Sequence, residues 1–203
     1  MRQSWYARRG KRIMDITVSC ALLCVLSPVL GVVAVCVRIS LGSPVLFRQW
    51  RPGRGERIFS LIKFRSMRSI GDGRSADDTD AGRLTSLGRV LRLTSLDELP
   101  ELVNVIKGDM SLVGPRPLMV EYLALYSDEQ SRRHNVRPGV TGWAQVNGRN
   151  EITWSEKFEL DVWYVENMSL SLDVRILGST ALAVLWRRGV NSEGEATTTP
   201  FTG

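Results

Sequence analysis

The sequence predicts a helix-rich α+β chain: an N-terminal re-entrant membrane helix, a β-hairpin, and interfacial amphipathic helices around a small core. Three observations predict it. Ile16 to Val37 is a run of 22 residues without a charge. Two short extended segments flank the turn Arg51-Pro52-Gly53-Arg54-Gly55, the pattern of a hairpin. Leucine, valine and aromatic residues then recur at helical spacing between Leu84 and Trp186, as in helices with one buried face.

The chain has 203 residues, enough for one domain or one domain plus an appendage. It divides into a basic arm with the membrane helix (residues 1–40), a main domain (41–188) and a polar tail (189–203). Charge is distributed unevenly. Residues 1–70 carry 13 Lys and Arg against two acids, Asp15 and Glu56, whereas residues 71–203 carry 14 against 19 acids. A basic segment of this kind attracts an anionic membrane surface or nucleic acid. The uncharged run in its middle disfavours nucleic acid. Cys20, Cys24 and Cys36 all lie within that run, no C-x-x-C pair exists, and His134 is the only histidine. This excludes a zinc site or a disulfide framework.

The arm contributes Arg2, Arg8, Arg9, Lys11 and Arg12. The apolar run after it, at ~1.5 Å per residue, is about 33 Å long and could span a bilayer core. Two features argue for re-entry instead. Ser27 and Pro28 fall at its midpoint, where proline removes a helical hydrogen bond and Ser27 can satisfy the freed carbonyl. Positive charge also flanks both ends, with Arg38, Arg48, Arg51, Arg54 and Arg57 after the run. The positive-inside rule would keep both ends in the cytoplasm.

Val45 to Trp50 and Arg57 to Met67 form the hairpin. Strand alternation puts Lys63 and Arg65 on one face and Phe64 on the other. Gly71 to Gly82 is an acidic surface loop without EF-hand spacing. Leu84 to Leu93 is an amphipathic helix carrying Arg89 and Arg92. Leu118 to Val136 reads as a surface helix. Residues 137–150, RPGVTGWAQVNGRN, read as a turn-rich connector with Gln145, Asn147, Arg149 and Asn150. Trp154 to Met168 and Leu172 to Trp186 are two further helices.

The chemistry concentrates in Ser95 to Pro117, SLDELPELVNVIKGDMSLVGPRP. Ser95 and Glu98 have capping-box spacing, which makes Ser95 an N-cap and places Asp97 and Glu98 at a helix start. Free N–H groups there favour ionised carboxylates, as a nucleophile or metal ligand requires. Pro115 and Pro117 hold Arg116 in an extended segment, which suits a guanidinium that grips phosphate.

Taken together, LFRQ (46–49), KFRSM (63–67), the 95–117 segment, RPGVTGWAQVNGRN and SLSLDVRIL (169–177) resemble the bacterial sugar transferases. These are monotopic polyprenyl-phosphate phosphoglycosyl transferases. The likeness runs from about residue 11 to about 188. It is to the small branch made of the catalytic core alone, and the tail EGEATTTPF resembles the bacillosaminyl-phosphate transferase members of that branch. The resemblance implies transfer of a sugar 1-phosphate from a UDP-sugar to undecaprenyl phosphate, with release of UMP. It implies Asp97 as nucleophile forming a phosphosugar-aspartyl intermediate, with Glu98 managing protons or, together with Asp97, holding Mg²⁺. Lys63, Arg92 and Arg116 are the expected phosphate-binding residues. Gln145, Asn147, Arg149 and Asn150 are candidates for the nucleotide sugar, while Asp161 and Tyr164 suit either contact or packing. The family's re-entrant helix matches the break at Ser27 and Pro28. The expected location is the bacterial inner membrane with the catalytic domain in the cytoplasm. The expected partners are the UDP-sugar, undecaprenyl phosphate and membrane lipid, with no nucleic acid and with a homodimer allowed. The alternative function is a non-catalytic membrane scaffold of glycan assembly.

Overall fold

A 31-residue helix, α1 (Lys11–Leu41), runs through the whole uncharged segment after a short π-helical turn at Tyr6–Gly10. A computed structural model shows this fold and describes residues 6–69, 79–148, 152–186 and 201–203. Pro28 lies inside α1, and Ser27 Oγ donates to the Cys24 carbonyl at 2.8 Å. That carbonyl sits four residues before the proline and is the one left without its helical donor. Mean hydropathy reaches 2.7 in the most apolar window of α1, of which 11% is buried.

Both ends of α1 pack on one body. Near its start, Lys11 pairs with Asp173 at 2.5 Å, and Asp15 accepts from Ser111 Oγ and Leu112 N at 3.0 Å each. Arg12 donates to the Val105 and Ile106 carbonyls. Near its end, Val33 and Val37 are buried against Phe64 and Leu91. Between Cys20 and Val32 no residue is buried.

The predicted hairpin forms. β1 (Leu46–Pro52) and β2 (Ile58–Phe64) are antiparallel, with Phe47 opposite Lys63 and Arg51 opposite Phe59. Two helices follow, α2 (Asp80–Arg83) and α3 (Ser86–Leu93). Thr85 caps α3, accepting from Gly88 N at 3.0 Å. A side chain at Gly88 would place its Cβ 1.8 Å from the Ser66 carbonyl, so only glycine lets α3 pack this closely.

The capping box expected at Ser95 does not form. Ser95 adopts a left-handed conformation (φ 56°) and its side chain caps nothing. Leu96–Glu98 is a single 3-10 turn, and α4 (Glu101–Lys107) starts only after Pro100. The proline, which has no N–H to contribute, serves as the N-terminal boundary of α4 rather than as an interior residue of a longer helix.

β3 (Ser111–Val113) and β4 (Gly139–Thr141) pair in parallel, a second sheet that the sequence pattern does not reveal. Three residues are too few to show an alternation. The close approach depends on glycine, because a Cβ on Gly139 would lie 2.1 Å from Gly114 N. The surface helix expected over 118–136 is broken. It consists of a 3-10 turn at Val120–Leu125, α5 (Asp128–Ser131) and a second 3-10 turn at Arg132–Asn135. Arg133, within that stretch, is buried.

The chain closes with α6 (Trp143–Asn147), α7 (Trp154–Asn167) and α8 (Leu170–Leu185). The last two match expectation within a few residues. The main core joins Phe59 and Leu61 of β2, Leu102 and Val105 of α4, Leu112 and Val113 of β3, Tyr164 of α7 and Ile176 of α8. Asn104 of α4 ties itself to β2, accepting from Ile62 N at 3.1 Å and donating to the Ser60 carbonyl at 2.8 Å. That link sets the inner face of the hairpin over the start of α4.

Candidate active site

Four residues named from the sequence meet between the hairpin, the 3-10 turn and the Pro-Arg-Pro segment. Lys63 Nζ lies 2.8 Å from Glu98 Oε1 and 3.0 Å from Glu101 Oε1. Arg116 donates to the same Glu98 oxygen. Asp97 is buried beside them, 7% exposed. Arg116 therefore pairs with Glu98 and reaches Asp97 through charge alone.

Asp97 has an unusual setting. Among the described residues its carboxylate accepts no hydrogen bond and forms no ion pair. Burial and the Glu98 charge push its pKa up, against the charges of Lys63, Arg92 and Arg116. Asp97 stands in a 3-10 turn rather than at an α-helix start, and the three nearby cations favour its ionised form against burial and Glu98. Burial also opposes ionisation of Glu98, but Arg116 and Lys63 outweigh it and hold that carboxyl well below the usual range. Reciprocally, Glu98 raises Arg116 above its ordinary value.

Arg92 stands at one remove. It donates from Nε to Ser66 Oγ at 3.2 Å and from Nη2 to Met67 Sδ at 3.1 Å, and acts on Asp97 through charge. Gln145 and Asn147 lie on α6 and bond to none of the Asp97 group. Gln145 buries both amide atoms without a partner among the described residues, and Asn147 donates back to the Trp143 carbonyl at 2.8 Å. Arg149 and Asn150 lie outside the described residues.

Three residues of the site region escape sequence reasoning. Glu101 is 2% exposed and shares Lys63 with Glu98. Burial pushes its pKa up to about 7. Arg51 lines the same recess as Lys63, Glu101 and Arg116. Arg133 supports the site from behind: it pairs with Asp161 at 2.7 Å and donates to the Arg116 carbonyl at 2.8 Å. Asp161, ambiguous in sequence, is thus a packing residue, and so is Tyr164, whose hydroxyl donates to Asp173 at 2.7 Å. The alternation that marks Lys63 could have marked Arg51, which shares its strand face. Nothing local marks the other two.

The donor set can be tested against a divalent cation. Among the described residues no cluster of three or more His, Cys, Asp or Glu exists to cage one. Asp97 is uncommitted, and both cations on Glu98 bond Oε1. Two carboxylates with an open side fit magnesium, which completes its shell with water and substrate phosphate.

A family model described as bacterial sugar transferase matches residues 6–187. The chain belongs to the bacterial sugar transferase family. It is 50% identical over 193 residues to the uncharacterized sugar transferase EpsL of Bacillus subtilis, covering 95% of this chain and 96% of that protein. It is also similar to the undecaprenyl-phosphate glucose phosphotransferase of Komagataeibacter xylinus, at 40% identity over 88% of this chain and 36% of the relative. For the undecaprenyl-phosphate galactose phosphotransferase of Salmonella typhimurium the figures are 38%, 88% and 41%. This sugar transferase thus spans nearly all of the first relative and about two-fifths of the other two. The Asp97–Glu98 group, Lys63, Arg92 and Arg116 all fall within the matched span.

Proposed function

We propose that this sugar transferase is a phosphoglycosyl transferase moving a sugar 1-phosphate from a UDP-sugar to undecaprenyl phosphate. The observation that carries this is Asp97: a buried carboxylate with no hydrogen-bond partner among the described residues, next to three cations. The names of the relatives supply the substrate class, undecaprenyl phosphate and a hexose phosphate.

An Asp97 oxygen attacks the phosphorus bonded to the sugar. The bond from that phosphorus to the bridging oxygen breaks, and UMP leaves with the electron pair. An oxygen of the lipid phosphate then attacks the same phosphorus, and the bond to Asp97 breaks, restoring the carboxylate. The product is a lipid diphosphate sugar. An uncommitted carboxylate can act as nucleophile without first breaking a protein contact. Lys63 and Arg116 hold Glu98 in place and offset the repulsion between attacking and attacked anions. Mg²⁺, held by Asp97 and Glu98, would supply charge neutralisation on the phosphate oxygens.

The membrane arrangement belongs to the same proposal. A simple span would put Lys11 and Leu41 on opposite faces of the bilayer. Their contacts, α4, β3 and α8 at one end and β2 and α3 at the other, form one body that cannot be divided in this way. Re-entry near Ser27 and Pro28 keeps both ends in the cytoplasm and sets the site at the depth of the lipid phosphate.

The test uses the full chain reconstituted with undecaprenyl phosphate, Mg²⁺ and a panel of UDP-sugars radiolabelled in the β-phosphate. UMP release and label trapped on the protein are expected with at least one donor, and both are lost in Asp97→Asn. Full activity in Asp97→Asn would remove Asp97 as nucleophile.

A further inference from the structure

Arg51 carries a half-buried guanidinium with few partners among the described residues. It sits on β1 opposite Phe59, on the strand face that also carries Lys63, since directly paired residues share a face. With Leu61, Lys63, Glu101, Arg116 and Pro117 it lines a small recess. Its Nη2 donates to Gln49 Oε1 at 2.7 Å. Its Nε is buried without a partner, and Nη1 makes no hydrogen bond among the described residues.

The neighbouring cations are committed. Arg116 is neutralised by Glu98, and Lys63 is shared by Glu98 and Glu101. Arg51 forms no ion pair among the described residues, although Glu101 and Glu121 act on it from a distance. Burial and the Arg116 charge lower its pKa. A partly buried cation beside a second cation favours an anion between them. Two guanidinium groups on one recess match the several oxygens of a phosphate.

We propose that Arg51 binds the non-transferred phosphate of the nucleotide donor, the one that leaves as UMP. Arg51 has this role only if the chain is the phosphoglycosyl transferase proposed above. The chemistry calls for such a group. When the bridging bond breaks, its electron pair stays on the UMP phosphate, which gains a full negative charge. A cation placed on that phosphate stabilises the transition state as well as the bound product. Arg51 supplies one that no carboxylate among the described residues has taken up.

The experiment measures binding of UMP and of uridine to the full chain in lipid nanodiscs, together with UMP inhibition of turnover. Arg51→Ala is expected to weaken UMP binding at least tenfold and leave uridine binding unchanged. Arg51→Lys should recover part of the loss. Arg48→Ala, on the opposite strand face, should match wild type. If Arg51→Ala does not fold, the Arg51→Lys and Arg51→Gln variants give the same comparison. Unchanged UMP binding in a folded Arg51 variant overturns the inference and leaves the proposed function standing. Equal losses for UMP and uridine also overturn it, because they show a structural role. Failure of the wild-type protein to bind UMP or release it defeats the proposed function and this inference together.

Discussion

Lys63 lies between two carboxylates whose pKa values move in opposite directions. Glu98 stays ionised because Lys63 and Arg116 together outweigh its burial, whereas for Glu101 burial prevails and its pKa rises to about 7. When Glu101 is protonated it releases its claim on Lys63, which is then available to an anionic donor. Donor KM is therefore expected to rise as pH passes upward through about 7, and Glu101→Gln should flatten that rise. A KM that follows pH identically in both proteins would refute the sharing of Lys63. The Arg133–Asp161 pair makes a separate prediction. Both side chains are 2% exposed, so removing one partner leaves a buried charge, at a cost of about 3–5 kcal/mol. Asp161→Ala should lower the unfolding midpoint sharply. It should also reduce activity in the protein that remains folded, because Arg133 holds the backbone of Arg116. Lys63, Arg92 and Arg116 could be chosen from the sequence by their type and their place in a motif. Glu101 and Arg133 could not, because they look like ordinary surface charges until the partners across the fold are known.

Elements are set by close contacts as much as by their own periodicity. α3 rests on the backbone of Ser66 through Gly88, where an added Cβ would fall 1.8 Å from the carbonyl oxygen. Gly88→Ala must push α3 away, and overpacking of this kind costs ~1–3 kcal/mol or more. Because Arg92 rides on α3 and donates to Ser66, activity should fall along with stability. Thermal denaturation and the UMP-release assay check both, and a wild-type melting curve for Gly88→Ala would refute the tight contact. Asn104 joins α4 to the hairpin through two backbone bonds. Asn104→Ala leaves a buried N–H and C=O without partners, at about 1–3 kcal/mol each, so a comparable loss in denaturant unfolding is expected. The hairpin, α3, α7 and α8 are legible because their alternation or helical spacing extends over enough residues. The 3-10 turn at Leu96–Glu98 and the three-residue strands β3 and β4 are too short to carry a period.

For the molecule as a whole, the two ends of α1 hold the long apolar helix to one body. Lys11→Ala removes the partner of Asp173, which is fully buried, and should reduce stability by a few kcal/mol. Acid stability is governed in part by His134. Burial, with the Arg133 charge, pulls its pKa down to about 4 from 6.5, and Nε2 is buried without a partner. The unfolded chain binds that proton below about 6.5 while the folded chain does not until about 4. Stability from this group is therefore fully present above 6.5 and lost as pH falls toward 4. The melting temperature should decline over that interval, and His134→Gln should make the decline shallower. An equal slope in both proteins would show that other groups set the acid response.

By itself the sequence determined the long helix with its uncharged run and Ser27 and Pro28 at its middle, the hairpin that carries Lys63, the later helices and the motifs of a bacterial sugar transferase. These are properties of runs, periods and fixed strings. The tertiary structure decided which charges meet. It paired Arg116 with Glu98, left Asp97 without a hydrogen bond among the described residues, gave Glu101 a share of Lys63, and brought Arg51 into the recess. It also replaced the expected capping box with a left-handed Ser95 and a 3-10 turn. The physical reason is that an ion pair and a desolvated carboxylate depend on distance and burial between segments far apart in the chain. Local spacing encodes neither.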